Sequence, residues 1–216
     1  MPKRVLRFHF DYISPYSYLA WQQLGDFANE HELLVEPKPT LFAGLLNQFG
    51  HKGPAEIEPK RIYMFKDCHR AATQLGVPFA PVFSHPFNPL PSLRATLLEM
   101  EDPTRERLVT DLFRATWAES RDMGSAEVVA EICDGAGVPN ALERIRDPET
   151  KQRLLHASRE AIELGVFGVP TMIVDDELFW GTDSFPHLAR YLRGDDPVRP
   201  EDVEAWLAVP ASAQRS

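Results

Sequence analysis

The chain has 216 residues, 44% of them hydrophobic and 25% charged, ordinary proportions for a soluble globular protein. Its net charge of −9, with no basic block, excludes the positive face that nucleic-acid binding requires. No apolar run approaches the ~20 residues that span a bilayer. The opening residues 1–10 carry Lys3, Arg4 and Arg7 but lack the apolar stretch of a secretory leader. The expectation is a protein without membrane or nucleic-acid partners, cytoplasmic by default.

Val5 to Phe10 alternates, with Leu6, Phe8 and Phe10 on one face, and predicts a strand. Ser14 then suits a helix N-cap and Pro15 the first helical position. Ala20, Leu24, Phe27 and Ala28 recur at helical spacing, so this helix should run to about Asn29. Leu33 to Pro39 predicts a second strand, placed at a sheet edge by its prolines. From Leu41 to Leu164 the patterns are helical: 59–75, 93–101, 104–118, 125–136 and 148–164. Strand character returns at Thr171 to Val174, followed by a turn at Asp175-Asp176 and a partner strand from Glu177 to Trp180. Gly181-Thr182-Asp183 should open a last long helix reaching Arg193, with Asp183 as a candidate cap, and 201–208 a short terminal one.

Neither end of the chain has enough strands to bury a sheet face alone, so the two ends must share one sheet. The architecture expected is α/β: a thioredoxin-like core built from residues 1–40 and 165–216, interrupted by an all-helical insertion over 41–164. Cys68 and Cys133 fit no metal or redox spacing and read as buried structural thiols. His69 beside Cys68 points elsewhere on a helix. The seven histidines form no metal motif, Ser14 lies in no Gly-x-Ser-x-Gly, and no phosphate loop is present.

Ser14-Pro15-Tyr16-Ser17 stands where a thioredoxin-like protein carries Cys-x-x-Cys, with hydroxyls in place of both thiols. A hydroxyl cannot exchange disulfides, but it can donate a hydrogen bond to a thiolate brought by another molecule. The stretch Phe10-Asp11-Tyr12-Ile13-Ser14-Pro15-Tyr16-Ser17-Tyr18-Leu19 resembles the signature of the kappa-class glutathione transferases and 2-hydroxychromene-2-carboxylate isomerases, relatives of DsbA-type oxidoreductases. Two further blocks match: Val166 to Thr171, ending with Phe179 to Asp183, and more weakly Gly53 to Arg61.

The resemblance implies glutathione as cofactor, a small aromatic substrate and a homodimer. It implies that Ser14 contacts the glutathione sulfur and that the Val169 backbone, before a cis Pro170, pairs with the tripeptide. Trp180, Gly181, Thr182 and Asp183 would hold its γ-glutamyl end, with Asp183 facing the ammonium. Lys60 would approach glutathione or stabilise a carboxylate or enolate of the substrate, with Asn88 as a further candidate for that pocket. His51 stands where kappa enzymes carry asparagine, and Ser184 where many relatives carry arginine. Taken singly, these residues also read as a helix cap, an ordinary turn, packing and solvated charge.

The family reaction is reversible thiolate addition to an activated double bond of an aromatic α-keto acid, rotation about that bond, and release. Lowering a thiol pKa by two units from ~8.5 raises its thiolate fraction at pH 7 about 25-fold. Nucleophilicity falls about eightfold over the same shift, leaving about a threefold gain. Orientation, worth ~7–11 kcal/mol, must therefore contribute more. A transferase forming permanent conjugates and a non-catalytic binder of extended peptides are the rival readings.

Overall fold

A computed structural model describes residues 3–211, so Met1, Pro2 and 212–216, which belong to the two outer segments named above, lie outside it. The first strand, β1 (Arg4–Phe10), sends Leu6, Phe8 and Phe10 into the core, where all three are fully buried. It is followed by α1 (Pro15–Glu30) and β2 (Leu33–Pro39). β1 and β2 run parallel from Arg4 opposite Leu33 to Phe10 opposite Pro39. Parallel neighbours need a crossover, and α1 supplies it.

The helices that follow are α2 (Phe42–Phe49), α3 (Glu58–Leu75), α4 (Leu90–Thr96), α5 (Asp102–Trp117), α6 (Ala126–Gly135), α7 (Ala141–Arg146) and α8 (Pro148–Glu163). Strand structure resumes at β3 (Thr171–Val174) and β4 (Glu177–Trp180), and the chain continues through α9 (Phe185–Leu192) to α10 (Pro200–Leu207). The sheet order is β2-β1-β3-β4, with β3 antiparallel to β1 and β4 antiparallel to β3. Strands from both ends of the chain thus share one sheet. β2, with Pro37 and Pro39, lies at its edge, where a missing N–H breaks no ladder.

Three expectations need correction. α2 and α7 are too short to show a long period, and neither is expected from the sequence. The segment read as a helix over 93–101 instead starts at Leu90 and ends at Thr96. Asn88 Oδ1 accepts from the Leu90 N–H at 3.2 Å, and the Arg105 guanidinium donates to the Thr96, Leu98 and Met100 carbonyls freed where the helix stops. The segment from Gly181 is not the first turn of the last helix. Thr182–Ser184 is a separate 3-10 turn, and Asp183 caps nothing: Ser184 Oγ donates to the Gly181 carbonyl at 2.8 Å, and α9 has no side-chain cap.

The main core joins β1 and α1 to the helical block through aromatic contacts. The Tyr12 and Phe113 rings lie 4.7 Å apart, and Phe10 and Phe113 lie 5.4 Å apart. A smaller apolar cluster unites Leu45, Ala161, Val166, Val169 and Ile173. Core residues therefore come from every part of the chain.

Candidate active site

The turn between β1 and α1 presents Ser14. Its backbone is extended, and its Oγ accepts from the Ser17 N–H at 3.1 Å, as an N-cap must. This bond occupies an oxygen lone pair and leaves the hydroxyl proton free. No hydrogen bond donated by Ser14 Oγ is found among the described residues. α1 is 16 residues long, so its unpaired amides and macrodipole favour an anion at this end. Ser17 does not share the role: it is fully buried and its Oγ has no partner among the described residues.

The turn is held from three directions by residues distant in sequence. The Phe42 N–H at the start of α2 donates to Asp11 Oδ2 at 2.9 Å. Trp117 Nε1 at the end of α5 donates to the Tyr12 carbonyl at 2.9 Å. His85 Nε2 lies 3.0 Å from the Ile13 carbonyl. A carbonyl can only accept, so this nitrogen carries the proton. Within the turn, the Ile13 N–H donates to Asp11 Oδ1 at 3.1 Å. Burial pushes Asp11 up to about 7, against the lowering effect of its amide partners Phe42, Ile13 and Tyr12. Burial lowers His85, the Ile13 carbonyl opposes that shift, and Arg61 adds to it.

Ser14 opens onto a cleft of about 460 Å³, a size suited to a small ligand. Its walls are the α1 start, α2 (Phe42, Leu46), the 51–56 loop, Met64 of α3, and the segment from His85 to Pro89. His51 and Val169 also line it. The Val169–Pro170 peptide is cis, as is His85–Pro86. Among the described residues the Val169 N–H and C=O make no backbone hydrogen bond. The Gly181 N–H donates to the Pro170 carbonyl at 2.9 Å, which brings 180–183 beside Val169. Trp180 is 54% exposed and packs its ring 5.2 Å from that of Phe167.

Ser14, His51 and Val169 therefore meet at one cleft, with Trp180, Gly181, Thr182 and Asp183 adjoining through Pro170. Lys60 and Asn88 are exposed and do not line the cleft. Lys60 is one turn before Met64 and shares its side of α3. Asn88 lies between the lining residues Phe87 and Pro89, but its carbonyl is committed to Leu90. Sequence reading overlooked Asp11, Phe42, Met64 and His85. Asp11 alone has a local signal, its place inside the 10–19 motif, because α2, α3 and the 85–89 loop bring the other three to Ser14 only through tertiary folding.

Neither cysteine belongs to this site. Cys68 and Cys133 are fully buried, and burial pushes both thiols up to about 12. At neutral pH neither is a thiolate, so neither can start disulfide exchange.

A thioredoxin-type sheet, a helical block between its halves and a cis proline facing the first helix define a class, and the family comparison agrees. The DSBA-like thioredoxin domain matches residues 5–193, and the chain belongs to that family. Its relatives include the 2-hydroxychromene-2-carboxylate isomerase of Sphingobium xenophagum, 31% identical over 194 residues, covering 88% of this chain and 98% of that one. Human glutathione S-transferase kappa 1 is 26% identical over 205 residues, covering 88% and 91%. A solved structure of 2-hydroxychromene-2-carboxylate isomerase superposes with a TM-score of 0.80 at 25% identity, over 95% of this chain and all of that one.

Proposed function

We propose that this protein is a glutathione-dependent isomerase of an aromatic α-keto acid of the hydroxychromene-carboxylate type. The carrying observation is Ser14: a helix-capping hydroxyl with its proton uncommitted, at the mouth of a cleft that has no reactive thiol of its own. The free Val169 amide and carbonyl fit an extended peptide, and the cleft beside them fits a small aromatic acid. Bound glutathione would supply the thiolate that adds reversibly to the activated double bond.

The chain's own residues orient and stabilise. Ser14 Oγ donates its proton toward a sulfur anion while the first amides of α1 add their field. Val169 fixes the peptide in register. Asp183, on the adjoining turn, offers a carboxylate to an ammonium. Lys60, unpaired among the described residues and on the Met64 side of α3, supplies a cation at the cleft margin for a substrate carboxylate. Phe42, Leu46 and Met64 exclude water from the reacting bond.

The similarity to isomerases at 31% identity favours isomerisation over conjugation. The deciding experiment mixes the full chain with an aromatic enone keto acid and a tenth of an equivalent of glutathione. Isomerisation of many equivalents per glutathione, to a fixed isomer ratio and with glutathione recovered, is expected; a stoichiometric adduct would make the protein a transferase. Lys60→Met should lower kcat/KM by about tenfold, and unchanged kinetics would remove Lys60 from the site.

A further inference from the structure

α3 separates two hollows. On one side, Met64 lines the cleft that contains Ser14. On the other, α3 and the 79–85 segment enclose a groove of about 780 Å³. Its apolar lining is Phe65, Phe79, Pro81 and Val82. Two of its aromatic walls are already fixed. The Phe79 ring stacks on buried Trp117 at 5.6 Å with the planes 7° apart, and Phe65 meets His85 edge-on at 5.3 Å. A flat ring entering the groove would meet preorganised aromatic surfaces.

The charged side chains in this lining, Lys66 and Arg70, have one sign. Lys66, His69 and Arg70 line the groove and, with Phe65, share the three- and four-residue spacing of one helix face. Lys66 and Arg70 are exposed, and among the described residues neither has a carboxylate partner. In contrast, Arg107, Arg114 and Arg153 on other helices each sit against an acidic side chain. What sets Lys66 and Arg70 apart is their place: both line the aromatic-walled groove, with no carboxylate in its lining. Arginine in particular suits the planar, two-oxygen geometry of a carboxylate.

We propose that this groove is a second ligand site, taking a small aromatic carboxylate whose ring lies between Phe65 and Phe79 and whose charge faces Lys66 and Arg70. The site is separate from Ser14 and does not rest on the reaction proposed above. His85 lines both hollows and contacts the carbonyl that precedes Ser14, so a ligand here adjoins the support of the catalytic turn.

The test is calorimetric titration of the full chain with 2-naphthoate, with 2-naphthamide as the uncharged counterpart. A saturable site is expected that weakens at least tenfold in Lys66→Glu/Arg70→Glu and for the amide, and persists in Ser14→Ala; binding at the Ser14 cleft would be the part that charge reversal leaves unchanged. The milder Lys66→Ala/Arg70→Ala pair should weaken it several-fold. Absent binding, or an isotherm that charge reversal leaves unchanged, overturns the proposal. So does a change in sedimentation on charge reversal, which would show that a second copy of the chain covers the groove. None of these results bears on isomerisation with glutathione, so the two readings fail separately.

Discussion

Ser14 caps α1, and the function proposed above gives it a second role that one substitution can separate from the first. As a cap it stabilises α1, and loss of the Ser17 N–H bond should cost about 1 kcal/mol in Ser14→Ala. As a donor to a thiolate it should matter more: activity should fall at least tenfold while urea unfolding reports only the modest cap loss. A stability loss with intact turnover would reduce Ser14 to a cap. Gly181 is a second single-residue constraint. Its φ of 87° and ψ of 166° lie where essentially only glycine is found, and an added Cβ would sit 2.6 Å from Asp183 Oδ1. Gly181→Ala should cost about 1–3 kcal/mol and displace the Asp183 carboxylate. Thermal unfolding, with glutathione binding measured alongside, checks both effects.

Among the secondary-structure elements, the connection between the β1–α1 turn and α2 matters most. The Asp11 carboxyl accepts from Ile13 on one side and Phe42 on the other. Asp11→Ala leaves two amides without that acceptor, each worth about 1–3 kcal/mol when buried. The variant should be clearly less stable and should loosen α2, the wall carrying Phe42 and Leu46. Faster amide exchange over 42–49 than in the native chain is the expected signature. The element boundaries also show which signals are local. α1 begins at Pro15 and α6 follows a Ser125 cap whose Oγ accepts from Val128, both as the cap rules predict. α4 fell outside those rules because its end is set by Arg105, a side chain from the next helix.

For the whole molecule, two buried groups on one strand and its following turn set opposing pH dependences. His9 contacts Thr40 and is pushed down to about 4, chiefly by burial and further by Lys38 and Arg7. Between pH 6.5 and 4 the unfolded chain binds a proton there that the folded chain does not, so His9 makes stability fall on acidification. His85, also lowered, acts in the same sense. Asp11, raised from 3.8 to about 7, does the reverse: over that window the folded chain holds the extra proton, and stability falls as pH rises. The native chain should therefore show a shallow profile between pH 6.5 and 4.5. Asp11→Ala should lose about 2–3 kcal/mol across the same window on acidification. Urea midpoints measured along a pH series decide it, and parallel profiles would show that Asp11 does not titrate there.

Local pattern was enough to place the four strands of the described residues, the cap at Ser14 and the absence of a reactive cysteine pair, because alternation, capping and residue chemistry act over a few neighbours. Ser14 and Val169, 155 positions apart in sequence, needed only the motif resemblance to be linked. Their meeting place depended on more. Which residues wall the cleft and why Asp11 and His85 are shifted were decided by segments that reach the turn from residues 42, 85 and 117. Burial and desolvation are sums over every element packed around a group, and no window of sequence contains them.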